Sequence, residues 1–297
     1  MIYFSSLRVY HNIFLITTIF KGISYNDTGD LMKVLFVHKK LILVLLIVIS
    51  IIILLSFSTF YIYTAVATAV SPQSQVISDD LKNEISHLVN GSEKIAYLTF
   101  DDGPNPSVTP KVLDILKQEN VKTTFFVIGK HVCSYPEIVK RAYEEGHYIA
   151  NHGYSHNNDI LYKSKDSFID EIRKTDLAIG KAIGIENYCS HIFRFPNGFM
   201  APAYKTAKKK SAEYLSEIDY TYVDWNSLNN DSMKKYSSTQ LLANLKQSIK
   251  NRNTLVVLMH DTKDVSDSST ALKESIEYLK SLGYTFENFY HFISKPN

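Results

Sequence analysis

Two adjacent carboxylates, Asp101 and Asp102, close the apolar run IAYLTF at residues 95–100, and Gly103 and Pro104 follow at once. Successive side chains of an extended chain point to opposite faces, so a strand tip with this pair can aim one carboxylate at a metal and the other at a proton. The same letters also suit a plain turn in which aspartate bonds its own backbone. A second group, His152 and His156, lies four residues apart in NHGYSHNN, directly after the apolar YIA. Imidazoles at that spacing can share one cation from a helix or a loop, although Gly153 stands where a zinc-protease helix would carry its catalytic glutamate. With ten histidines in the chain, such a pair also arises by chance as two solvated loop residues. Joined by Asp102, the two form a set of two histidines and one carboxylate that leaves a metal position open for water.

Those side chains need a frame. From Lys94 onward, short β-rich runs alternate with amphipathic helical ones. Strands are expected at 95–100, 123–128, 192–195, 220–225 and 254–259, and helices at 110–119, 136–145, 165–183, 204–218, 239–250 and 270–282. Prolines 110 and 136 sit at first-turn positions of two of these helices. Such βα alternation predicts a parallel sheet, either a barrel or doubly wound, whose loops converge at the carboxyl ends of the strands. Asp101 and Asp102 occupy one such end, and His260 closes another, LVVLMH.

The chain has 297 residues, 45% hydrophobic and 21% charged, with a formal net charge of +2. It is neither a disordered chain nor one whose charge points to nucleic acid. Cys133 and Cys189 are its two cysteines, which excludes a disulfide-stapled mini-fold and a four-cysteine zinc module and leaves open one bridge or two thiols. From Leu41 no Asp, Glu, Lys or Arg occurs until Asp79. About 20 apolar residues cross a bilayer, so residues 41–63 are expected to form a transmembrane signal-anchor. Lys33, Lys39 and Lys40 precede it, which puts residues 1–40 in the cytoplasm and the rest outside the cell. Ala65, Ala67 and Ala69 suit a signal peptidase, so cleavage near Ala69 would yield a secreted protein. Translation from Met32, followed by Lys33, gives a more regular signal-anchor than Met1 does. Residues 64–93 read as an extracellular spacer with a short helix near 80–88, and residues 94–297 as the catalytic domain.

Over nearly all of 94–292 the chain resembles the polysaccharide deacetylase, or NodB-homology, family of carbohydrate esterases (family four), and among them the membrane-anchored bacterial peptidoglycan deacetylases. Five motifs occur in order: TFDDGP at Thr99, HGYSH at His152, FRFPNG at Phe193, YVDWNSLNND at Tyr222 and VLMHD at Val257. The resemblance implies an α/β fold, a distorted (β/α) barrel with fewer than eight strands. It also implies a divalent metal on Asp102, His152 and His156, most often zinc, with cobalt, nickel or manganese as substitutes. Amide hydrolysis needs a base for the attacking water and an acid for the leaving amine. Asp101 is the expected base and His260 the expected acid. Arg194 is expected to contact Asp101, and Asp231 to orient His260, with Asp224 as its rival because the fourth motif aligns loosely. Trp225 and Leu258 would line a pocket for the acetyl methyl, or else serve as barrel core.

The third motif departs from many relatives, which carry an aromatic where this chain has Asn197. A backbone N–H at Asn197 still suits an oxyanion. An aromatic platform is lost there, and Tyr154, Phe199 or Tyr204 is expected to replace it. The expected substrate is N-acetylglucosamine of a cell-surface polysaccharide, first of all peptidoglycan, with N-acetylmuramic acid, chitin oligomers, poly-N-acetylglucosamine or acetylxylan as alternatives. A glycosidase with Asp101 and Asp231 as its carboxylates, and a non-catalytic wall-binding protein, are the readings from other classes.

Overall fold

The computed structural model describes residues 42–54, 77–262 and 267–295. It divides into two units, residues 1–71 and 72–297. In the first, residues 42–54 are helical and solvent-exposed. Among the described residues no helix is long and apolar enough to cross a membrane. The remainder of the expected span, Leu41 and 55–63, lies outside them, as do the expected start at Met32 and the alanines near 69.

The second unit opens with α1 (Asp79–Ser86) and continues β1 (Ile95–Asp101), α2 (Thr109–Glu119), β2 (Thr124–Val127), α3 (Gly129–Ser134), α4 (Pro136–Glu144) and β3 (Tyr148–Asn151). Next come α5 (Asn158–Leu161), α6 (Lys165–Ile183), β4 (Ile192–Phe193), α7 (Lys205–Glu217), β5 (Thr221–Tyr222) and β6 (Ser227–Leu228). The chain ends with α8 (Ser238–Ile249), β7 (Leu255–His260), α9 (Ser269–Ser281) and β8 (Thr285–Phe286). Local chemistry sets the boundaries. Ser164 caps α6 by accepting from the Ser167 N–H, and Gly184 ends it in the left-handed region. Ser237 and Gln240 form a capping box on α8.

Seven strands run in the order β5-β4-β3-β2-β1-β7-β6, all paired in parallel, and the two-residue β8 adds to the start of β1 off this path. This is a half-barrel, as the distorted barrel with fewer than eight strands requires; β3, β6 and β8 are the strands that the five expected ones did not include. Along β1 the alternation is strict. Ala96, Leu98 and Phe100 face α2, α4, α8 and α9 in the larger core, while Ile95 and Tyr97 join a second core on the inner face with Phe126, Tyr148, Val256 and Phe289. Thr99 and Asp101 continue the inner face toward the carboxyl end. Register places Asp101 opposite His260 across the β1–β7 pair, so the expected base and acid are neighbours by sheet geometry.

The stretch read as a spacer is, from Ile77 on, part of the fold. Ile77, Ile85 and Leu88 are buried in the inner core, Lys82 pairs with Asp219 at 3.0 Å, and Asn226 Nδ2 donates to the Val89 carbonyl at 2.8 Å. Its polar composition hid three apolar side chains that close the start-of-strand end of the half-barrel. Ile85→Ala is therefore expected to destabilise the protein by about 2–5 kcal/mol in denaturant unfolding, since it opens a cavity around a fully buried side chain. A change within about 0.5 kcal/mol would return the segment to a spacer.

Candidate active site

Asp102 follows β1 with a φ of 75°, a left-handed conformation that swings its side chain away from the direction taken by Asp101. The ring of His131 on α3 donates through Nδ1 to the Asp102 carbonyl at 2.8 Å and fixes that turn. Asp102 Oδ1 then lies 3.3 Å from His152 Nε2 and 3.2 Å from His156 Nε2. The ligand atoms of the three residues fall within 4.8 Å of one another. His152 leaves the end of β3 and donates from Nδ1 to the Arg194 carbonyl at 2.8 Å, which keeps its Nε2 lone pair turned to the cluster.

This set fits a divalent cation on its own chemistry. Asp102 Oδ1 is buried with no hydrogen-bond partner, a costly arrangement that a cation would relieve. Burial pushes the Asp102 carboxyl up, but the adjacent His152 imidazole, with the charges of His156 and His260, overcomes it and holds the group well below the usual carboxylate range. The His156 ring is pulled down, by burial first and by the neighbouring His152 second, which favours the neutral form that ligates metal.

Asp101 is buried beside this cluster and accepts from Arg194 Nη1 at 2.9 Å, its other oxygen lying 3.8 Å from His152 Nε2. Arg194 is itself fully buried. It donates from Nη1 to Thr99 Oγ1 at 2.6 Å, from Nε to the Val223 carbonyl at 3.1 Å and from Nη2 to the Asp224 carbonyl at 3.4 Å. Its guanidinium lies 4.0 Å from the Phe126 ring and 5.7 Å from the Trp225 ring. A guanidinium held by this many groups keeps the Asp101 side chain in one place.

Across the β1–β7 pair, His260 Nδ1 donates to Asp231 Oδ1 at 2.7 Å, while its backbone N–H donates to Asp231 Oδ2 at 2.7 Å. The Ser268 hydroxyl also donates to Asp231 Oδ2, and Asn229 Nδ2 donates to Ser268 Oγ at 2.9 Å. Between the two aspartates that the fourth motif offers, Asp231 is thus the partner of His260. Asp224 points elsewhere, and its carboxylate accepts the N–H groups of Phe199 at 2.9 Å and Met200 at 3.2 Å.

Asn197 adopts φ 63° and Gly198 φ 80°. Gly198 is pressed against the Trp225 indole, where an added Cβ would come within 2.7 Å of the ring. Asn197 and Trp225 share a cavity of about 560 Å³ with Phe199, Met200 and Tyr222. Leu258 is not in that lining; it is buried in β7 opposite Thr99. Of the aromatics expected to replace the lost platform, Phe199 lines the cavity and packs tilted against Tyr222, ring centroids 4.4 Å apart. Tyr204 is instead tied to Asp159 at 2.5 Å, and Tyr154 lies 4.0 Å from Cys133 Sγ. Cys133 and Cys189 are both free thiols.

Sequence reasoning missed Ser268, Asn229 and Lys208. Lys208 is buried, with its ammonium donating to the Gly198 carbonyl at 2.5 Å. In the sequence it is one of three consecutive lysines, and only the helical phase of α7 separates it from its exposed neighbours.

Residues 89–223 match the polysaccharide deacetylase family model. The peptidoglycan-N-acetylmuramic acid deacetylase PdaA of Bacillus subtilis is 33% identical over 207 residues, covering 70% of this chain and 74% of that protein. A peptidoglycan-N-acetylglucosamine deacetylase of Bacillus cereus is 33% identical over 249 residues, 80% and 87% of the two chains. Among solved structures, the catalytic domain of a peptidoglycan N-acetylglucosamine deacetylase from Eubacterium rectale superposes with a TM-score of 0.61 at 33% identity, covering 67% of this chain and 90% of that one. The chain belongs to the polysaccharide deacetylase family and is a deacetylase hydrolase.

Proposed function

We propose that this protein removes N-acetyl groups from N-acetylglucosamine of peptidoglycan, with a divalent cation, zinc first, on Asp102, His152 and His156. The observation that carries the reading is the pairing of an open two-histidine, one-carboxylate set with an arginine-held aspartate on one side and an aspartate-held histidine on the other. The cation, when bound, supplies Lewis acidity toward the acetamide carbonyl and lowers the pKa of water. Asp101, held in place by Arg194, takes the proton of the attacking water. His260, kept protonated by Asp231, gives a proton to the departing amine, without which the C–N bond does not break. The Asn197 backbone N–H and the Trp225 ring are the proposed contacts for the carbonyl oxygen and the methyl group.

Both carboxylates of the glycosidase reading are already engaged, Asp101 with Arg194 and Asp231 with His260 and Ser268. N-Acetylmuramic acid is the second substrate reading, because one of the three peptidoglycan-acting proteins above is named for it. The protein is proposed to work at the outer face of the membrane, tethered by the apolar residues 41–63. Incubation of the zinc-loaded protein with bacterial peptidoglycan, followed by mass spectrometry of the muropeptides, is expected to show loss of acetyl from glucosamine and full suppression by chelator. Loss from muramic acid would change the substrate and keep the chemistry; loss that survives chelation would remove the cation from the reading.

A further inference from the structure

The N–H groups of the loop between the two histidine ligands are held from one point on helix α6. Glu171, in the middle of α6 and 4% exposed, accepts three hydrogen bonds on a single oxygen: the Tyr154 N–H at 3.1 Å, the Ser155 N–H at 2.8 Å and the Ser155 hydroxyl at 2.8 Å onto Oε2. Ser155 Oγ in turn accepts the Asn157 N–H at 3.2 Å. Glu171 therefore fixes the backbone on both sides of His156, directly before it and through Ser155 after it. His156 needs such support more than His152 does. Its φ of 51° lies in the left-handed region that non-glycine residues seldom adopt, and its side chain is 29% exposed where that of His152 is 3% exposed and anchored by its Nδ1 bond. The carbonyl side of the loop is held separately, by the N–H groups of Gly129 to Gly153 at 3.0 Å and of Lys130 to Tyr154 at 3.1 Å, with Lys130 Nζ on the Ser155 carbonyl at 3.0 Å.

We infer that Glu171 is a positioning residue of the cation site: it holds His156 against Asp102 and thereby sets the affinity for the divalent cation. The inference rests on the reading of Asp102, His152 and His156 as that site. Removing a partner that orients a metal ligand typically costs 10–100-fold in affinity, and here one carboxylate serves the residues flanking a ligand that is partly open to solvent.

The test is a titration of the full chain with Zn²⁺ against a competing chromophoric chelator, with the melting temperature of the metal-free protein measured alongside. Glu171→Met is expected to weaken zinc binding by about 10–100-fold. Glu171→Gln is expected to recover most of it, because one amide oxygen can take all three bonds. Ser155→Ala keeps both backbone bonds and loses the link to Asn157, so it is expected to weaken binding by less, in the same direction; it answers the question even where Glu171→Met does not fold. Wild-type affinity in Ser155→Ala and in folded Glu171→Met, with only the melting temperature lowered, would make Glu171 a structural residue and overturn the inference. A wild-type protein that binds no zinc, nor any of cobalt, nickel and manganese, would overturn the cation site itself, and the two failures are told apart by the wild-type titration alone.

Discussion

Replacing Asp101 by Asn is expected to lower kcat for acetate release by about 10²–10⁴-fold while leaving zinc affinity within a few-fold of the wild type. The asparagine matches the aspartate in shape, and its amide oxygen can still accept from Arg194 Nη1, so the side chain stays where the structure holds it. It lacks the basicity to take a proton from water. Asp102, His152 and His156 are untouched, which is why the cation titration is the right control. A stability cost accompanies the change, because Arg194 is buried and loses its anion; breaking a buried ion pair typically costs about 3–5 kcal/mol, although the remaining bonds of Arg194 to Thr99 Oγ1 and the Val223 and Asp224 carbonyls lessen it here. Activity must therefore be compared at a temperature where both proteins are folded. Acetate release within about tenfold of the wild type would take the base role from Asp101 and pass it to another acceptor near the cluster.

How much of this was legible in the sequence depended on whether the deciding contact was local. The strand tips were local. A continuous apolar run followed by DDGP or ending in HD announces its own position, and Asp101, Asp102 and His260 stand at the ends of β1 and β7 as the pattern required. Helix α6 was placed from its periodicity with the bounds it has. The pairing of Arg194 with Asp101 and of Asp231 with His260 came from motif resemblance, since the partners lie 93 and 29 residues apart. Proximity in the sequence could not choose between Asp224 and Asp231. The structure chooses because β6 carries the chain from Asp224, beside the Phe199–Met200 amides, to Asp231 beside β7. Strands of two residues, such as β6 and β8, have too few side chains for a period to register. The burial of Ile77, Ile85 and Leu88 was hidden for a similar reason: three apolar residues spread over a polar stretch mark a segment that docks on something else, here the start of β5 through Asp219 and Thr221 and, after the helix, β7.

The second large effect is expected from Asp231→Asn, read in the pH profile as well as in rate. Burial by itself pulls the pKa of His260 down; the hydrogen bond it donates to Asp231, then that carboxylate's charge, then the charges of Asp101 and Asp102 outweigh it and leave the imidazole at about 9. An acid works only while protonated, so kcat is expected to hold below that pKa and to fall as pH rises through it. The same sign governs folding: a histidine whose folded pKa lies above its unfolded value of about 6.5 contributes stability that is complete below that value and fades as pH rises toward 9. Asparagine removes the charge, and its amide can either donate to Nδ1 or accept from it, so His260 loses the attraction that keeps it protonated and the acceptor-only partner that holds one tautomer. The expected result is a fall in kcat of about 10²–10⁴-fold at neutral pH, with the alkaline limb moved toward neutrality. A cation bound at Asp102 offsets that carboxylate's share of the shift, so the limb of the loaded wild type lies below about 9. The share from Asp231 is left in place, because its charge sits on the Ser268 and Asn229 side of His260. Comparing the two variants at one metal load therefore separates their roles. Asp101→Asn is expected to remove rate across the whole profile with only a small displacement of the alkaline limb, whereas Asp231→Asn displaces that limb itself. An alkaline limb that stays put in Asp231→Asn would mean that His260 is not the acid, and that the Asp231–His260–Ser268 group holds the end of β7 in place instead.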